Sequence, residues 1–182
     1  IADGKIKLPK LKWVTIKQHR DIPEDYKLKS CTLSQDPDGK YYVSVLFAYK
    51  ETITQQKVEK VIGLDFSMKE LYVDDEGGIP EYPRFYRKAQ EKLSREQRKL
   101  SKCEKGSNNR AKQRKRVAKL HKKVSNQRKD FLHKQSRQIT NAYDAVVVEN
   151  LNMKDMSKAL RFGKAVHDNG WGMFIMFLQY KL

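Results

Sequence analysis

Val61-Ile62-Gly63-Leu64-Asp65 and Ala145-Val146-Val147-Val148-Glu149 are short apolar runs that each end on a carboxylate, 84 positions apart. Runs of this length and composition suit buried β-strands. An acid that closes such a strand stands where the sheet meets solvent, and there its oxygens can hold a hard divalent cation. The stretch between the runs is strongly basic, which supplies a phosphate-binding surface beside the acids. Two acids with a basic flank are what half of a metal-dependent nuclease site is expected to contain.

The placement of charge is as informative as its amount. The 182 residues carry 39 Lys/Arg and 22 Asp/Glu, a formal charge of +17. Residues 84–137 hold 21 of the basic residues against 4 acids, so this window alone accounts for the whole excess. An excess confined to one segment is a directed surface that suits a polyanion, nucleic acid or an anionic membrane. A membrane is the weaker partner, because there is no apolar run near 18 residues, no signal-type leader and no strong apolar face opposite the basic residues. The chain reads as soluble and cytoplasmic, with no membrane partner and no small-molecule substrate. Cys31 and Cys103 lie far apart in different kinds of segment, which argues against a disulfide framework or a zinc site and makes buried or inert thiols the expectation. The chain opens on Ile1 without an initiator Met and closes inside an apolar helical pattern at Phe177-Leu178-Gln179-Tyr180-Lys181-Leu182, so it is expected to be a fragment.

Working outward, residues 1–56 read as a β-rich module. Trp13–Lys17 and Lys27–Leu33 alternate, and Asp36-Pro37-Asp38-Gly39 turns into Lys40–Lys50, a hairpin whose turn is fixed by Pro and Gly. Tyr41–Tyr49 is aromatic and β-branched, suited to a central antiparallel strand. Val58–Phe66 is the next strand, and Glu70–Asp74 can return antiparallel to it. After Pro83 the apolar residues Leu93, Leu100, Val117, Leu120 and Val124 recur at helical spacing, and Gly106-Ser107-Asn108-Asn109 breaks the region into two basic helices, the second ending near Tyr143. The Glu149 strand, a loop and a helix from about Asp168 complete residues 57–182. The order strand with Asp, antiparallel strand, helices, strand with Glu, helix fits an α+β RNase H-like mixed sheet with a long basic helical hairpin inserted over 84–143. In that fold the two acid-bearing strands are neighbours. Converging acids would hold one or two Mg²⁺ or Mn²⁺ ions for phosphodiester hydrolysis, with a third acid on or after the last helix.

Several stretches resemble one family. Val61-Ile62-Gly63-Leu64-Asp65-Phe66-Ser67 with Lys69-Glu70-Leu71 resembles the first RuvC motif of the OrfB/TnpB proteins of bacterial insertion sequences, relatives of type V CRISPR effectors. Val146-Val147-Val148-Glu149-Asn150-Leu151-Asn152-Met153-Lys154-Asp155-Met156 resembles their second. Leu8–Val14, Gly39–Ser44, Gln97–Ser101, Gly106–Asn109, Asn126–Lys134 and Asp168-Asn169-Gly170-Trp171 are similar to further family stretches, so the likeness covers nearly the whole chain. It implies a transposon-encoded RNA-guided DNA endonuclease, also termed a transposase, with guide RNA and target DNA as partners and Asp65 and Glu149 as two of three catalytic, Mg²⁺-binding acids. It also implies a third acid and a zinc-binding Cys-rich ribbon beyond the last helix, so the fragment alone is expected to be inactive, and it matches residues 1–56 to part of a wedge domain. A nuclease-dead guided DNA-binding repressor and a structural RNA-binding protein are the alternatives.

The densest phosphate-contact candidates are Lys112, Arg114, Lys115, Arg116, Lys119, Lys122 and Lys123, with Arg128 and Arg110 beside them. Trp13, Tyr41, Tyr42 and Trp171 could stack on bases, but their strand or helix spacing assigns them to the core. His121, His133 and His167 have no Cys or His partner at metal-ligand spacing, and surface or phosphate-contacting roles are expected of them.

Overall fold

The computed structural model describes residues 1–2, 4–50, 57–153, 155–156 and 168–182. It is an α+β structure in two compact units, Ile1–Gln35 with Tyr41–Ile53, and Asp36–Lys40 with Thr54–Leu182.

The first unit contains two antiparallel pairs. β1 (Lys5–Leu8) pairs with β2 (Lys12–Thr15), a strand pair in which Ile6 and Leu8 are buried. β3 (Lys27–Gln35) pairs with β4 (Tyr41–Ala48) from Lys27↔Ala48 to Gln35↔Tyr41, with an irregularity between Leu28 and Ser30. The reverse turn forms as the sequence requires: Gly39 takes φ 88° and donates to the Asp36 carbonyl at 2.8 Å. Two expectations are corrected here. Tyr41–Tyr49 was expected as a central strand, but among the described residues its sheet has two strands, so each is an edge. Trp13, Tyr41 and Tyr42 were expected in the core and are exposed, as is Cys31. No residue of β3 or β4 is buried, because a two-stranded ribbon has no layer of its own to pack on.

The second unit is built on a mixed sheet. β5 (Val61–Phe66) is central, with β6 (Tyr72–Asp74) antiparallel on one side and β7 (Ala145–Val148) parallel on the other. A parallel neighbour needs a crossover connection, and here α1 (Phe85–Lys102) and α2 (Asn108–Ala142) supply it. Ser107 accepts the Arg110 amide on its hydroxyl at 3.2 Å and so starts α2. Arg110 donates its guanidinium to the carbonyls of Leu100 and Cys103 at 3.0 Å, which fastens the end of α1 to the turn. Leu93, Val117 and Val124 are buried in this hairpin, and Gln113 reaches across it to the Glu96 carbonyl at 3.0 Å and carboxylate at 2.7 Å.

The core lies where the far half of α2 meets the sheet and α3 (Trp171–Gln179). Ile62 and Leu64 from β5, Leu71 just before β6 and Tyr72 in it, Leu132 and Ile139 from α2, and Trp171, Phe174, Phe177 and Leu178 from α3 form one buried cluster. The α3 residues recur at helical spacing, which puts them on one face. Gly170 starts α3 at φ 78°; a Cβ there would lie 3.1 Å from Arg128 Cδ and from Leu132 Cδ1, so this position requires glycine. Trp171 is core, as expected.

Candidate metal centre and nucleic-acid face

The register of β5 and β7 decides where the two acids stand. Val61 pairs with Ala145 and Leu64 with Val148, so Asp65 and Glu149 each come one residue after the last partners of adjacent parallel strands. Side chains alternate along a strand, and Ile62 and Leu64 are buried. Asp65 therefore lies on the sheet face opposite the core, and Glu149 shares that face through the Gly63↔Val147 pair. Both acids are exposed, and Val147 on the same face is 62% exposed. The structure thus brings the two sequence-predicted acids side by side at one end of a sheet.

What fixes that register is Asp144, which the sequence reading passed over. Its carboxylate accepts the backbone amides of Glu59 at 3.0 Å and Lys60 at 2.9 Å, while the Asp144 and Ala145 amides donate to the Lys60 carbonyl. The two amides hold the Asp144 carboxyl below the usual carboxylate range. A slip of one residue would turn Asp65 and Glu149 to opposite faces, so this clasp at the start of the strands governs the geometry at their end. The signal available in the sequence is an Asp directly before an apolar strand.

Two carboxylates on one solvent-facing edge are hard oxygen donors, and Mg²⁺ is commonly held by one or two carboxylates together with water and substrate phosphates. Asp65 and Glu149 fit that pattern. Among the described residues no group of three His, Cys, Asp or Glu side chains is arranged to hold a metal ion.

The basic candidates fall on α2 and separate into two kinds. Lys112, Arg114, Lys115, Arg116, Lys119 and Lys123 are exposed. Lys122 instead lies 2.6 Å from the Asp36 carboxylate and 3.5 Å from that of Asp38, both residues of the same unit. Arg128 forms an ion pair at 3.2 Å with Asp168, whose side chain is 4% exposed. Arg110 is committed to the turn carbonyls described above. On α1, Arg87, Lys88, Lys92, Arg95 and Arg98 line an open depression and extend the basic surface beyond the residues singled out in the sequence. His121 and His133 are both exposed, His121 beside Gln97 and His133 stacked on Phe177 with ring centres 3.8 Å apart; His167 lies outside the described residues. Burial and the nearby Lys181 ammonium lower the His133 pKa.

A polar cluster lies behind Asp65. Asn169, 2% exposed, donates its amide to the carbonyls of Ser67 at 2.8 Å and Glu70 at 2.5 Å. Asp168 accepts the Tyr86 amide in the first turn of α1 at 3.2 Å, and its carbonyl accepts the Tyr82 hydroxyl. Burial and the Asp168 carboxylate push the Tyr82 pKa up to about 12. No helix of the described residues is long and apolar enough to cross a membrane.

Comparison with known proteins agrees with the resemblance carried by the acid motifs. Residues 43–160 match the family OrfB_IS605, described as "Probable transposase". The chain is 31% identical over 167 residues to a Streptomyces pristinaespiralis protein named "Putative RNA-guided DNA endonuclease", covering 91% of this chain and 41% of that protein. It is 32% identical over 157 residues to "Putative RNA-guided DNA endonuclease InsQ" of Escherichia coli K12, covering 86% of this chain and 38% of that protein. The chain thus spans about two fifths of the length of these relatives. A family match across most of the chain, on a sheet that sets Asp65 beside Glu149, identifies this chain as a member of the OrfB/TnpB family of insertion-sequence transposon proteins.

Proposed function

We propose that the chain carries part of the RuvC-type site of an RNA-guided DNA endonuclease, with Asp65 and Glu149 as metal-binding catalytic acids and the basic helical hairpin holding nucleic acid. The observation that carries this reading is the parallel register ending at Leu64↔Val148, which sets the two carboxylates on one face of adjacent strands. The strand order β6-β5-β7, with the helices in the crossover, is that of the first, second and fourth strands of an RNase H-like sheet and supports the same reading. The names of the relatives support RNA guidance and DNA cleavage.

Bound Mg²⁺ or Mn²⁺ would activate water and stabilise the leaving oxygen of a phosphodiester. Asp65 and Glu149 would hold the ion at the open end of the sheet. Lys112, Arg114, Lys115, Arg116, Lys119 and Lys123 would bear on phosphates, which orients a strand without reading its bases. Lys122 and Arg128 act first on carboxylates of their own chain, so their part in binding is indirect.

The test is Mg²⁺- or Mn²⁺-dependent DNA cleavage by the full-length protein with its guide RNA, compared with Asp65→Ala and Glu149→Ala. Loss of cleavage in both variants with RNA binding retained is the expected result. Cleavage that survives Asp65→Ala refutes the assignment. A wild-type protein that binds guide and target tightly and cleaves neither strand is a guided repressor instead.

A further inference from the structure

We infer that Asn169 is a positioning residue for Asp65, holding the turn behind that acid so that its carboxylate stays where a metal ion is bound; the inference rests on the nuclease reading above. Asp65 is followed by Phe66, the last residue of β5, and then by a turn that returns as β6 at Tyr72. The turn has little of its own to fix it: the Ser67 hydroxyl accepts the Glu70 amide at 3.2 Å. Its carbonyls at Ser67 and Glu70 are taken by one side chain, the buried amide of Asn169. Two residues further on, Trp171 lays its ring against Phe66 with centres 5.6 Å apart. The residue beside Asp65 and the one after it are thus gripped from the same short segment, one by packing and one by hydrogen bonding.

That segment is itself anchored. Asp168 is paired to Arg128 of α2 and accepts the Tyr86 amide, taking up an amide at a helix start whose own cap residue, Arg84, offers no side-chain acceptor. Glu70 also accepts the Tyr82 amide at 2.8 Å, so the turn is tied to the segment leading into α1. An amide side chain that only filled space here would gain nothing from reaching two carbonyls of one turn. Outer residues that orient metal ligands in this way typically cost about 10–100-fold in metal affinity or activity when changed.

Asn169→Asp tests the grip with almost no change of volume, because it turns the donor toward Ser67 and Glu70 into an acceptor. In the full-length protein with its guide RNA, single-turnover cleavage should fall roughly 10–100-fold. The half-saturating Mg²⁺ concentration should rise, added Mn²⁺ or excess Mg²⁺ should recover part of the rate, and guide and target binding should stay within about twofold of wild type. Hydrogen exchange at the amides of residues 67–71 should quicken. Asn169→Ala, which removes the donor without adding charge, should show the same metal dependence more weakly. Faster exchange with unchanged cleavage and Mg²⁺ dependence overturns the inference, and so does a parallel fall of RNA binding, thermal stability and cleavage in both variants, which marks a purely structural residue. Cleavage lost in Asp65→Ala but intact in Asn169→Asp overturns the inference alone, whereas cleavage that survives Asp65→Ala overturns the nuclease reading as well.

Discussion

The two halves of α2 are made from similar residues and do opposite work. Up to about Val124 the helix buries Gln113, Val117 and Val124 within the hairpin and turns Lys112, Arg114, Lys115, Arg116, Lys119 and Lys123 to solvent. Beyond it, Leu132, Ser136 and Ile139 are buried, the first and last in the main core, and the partly buried Arg128 is ion-paired to the buried Asp168. A continuous helix of 35 residues is about 52 Å long, so one rigid rod joins an exposed basic surface to the layer that backs the acids. Arg114 and Arg128 are the same residue type on the same helix, and what differs is whether a buried carboxylate waits for them.

The comparison predicts effects that separate stability from binding. The largest belongs to the core against which the far half of α2 packs: Phe174→Ala in α3 removes a fully buried ring stacked on Tyr72 and should cost roughly 3–5 kcal/mol, read by chemical denaturation. Arg128→Ala comes next, at about 3 kcal/mol, the low end for breaking a buried pair because the arginine is partly exposed. It should leave the salt dependence of RNA binding unchanged; a lower salt slope at full stability would put Arg128 with the phosphate contacts after all. A smaller effect is set by pH. Tyr82 holds its proton to about pH 12 in the folded chain against 10 when unfolded, so stability should be intact below pH 10 and fall as pH rises from 10 toward 12, and Tyr82→Phe should flatten that fall. The smallest stability change belongs to the basic half. Lys119→Ala and Lys123→Ala should each stay within about 0.5 kcal/mol of wild type. Each should nonetheless lower the slope of log affinity against log salt by roughly one.

How much of this was legible in the sequence depends on whether local pattern or tertiary context decided the outcome. The hairpin turn at Asp36–Gly39, the break at Gly106, the two helices and the acid-ended strands were readable because turn chemistry and helical spacing act over a few residues. Burial was not. Tyr41–Ala48 is richer in aromatic residues than Val61–Phe66, yet the former buries none of its residues and the latter buries Ile62 and Leu64, because only β5 has a neighbour on each side and helices packed over one face. The same limit applies to the site. Asp65 and Glu149 announce themselves by ending apolar runs and Asp144 by standing directly before one, whereas Asp168 and Asn169 act through groups brought close by the fold, and no spacing rule points to them.

The parallel pairing of β5 with β7 also has a kinetic consequence. Val61 and Ala145 are 84 residues apart, and closing so long a loop costs entropy that no local contact repays. The helical hairpin lies inside that loop and forms from near neighbours, so its folding shortens the distance the strands must search. The two carboxylates should therefore meet late, after the basic hairpin has formed. A lesion in the Arg110-fastened turn would delay their meeting while leaving the finished register as it is.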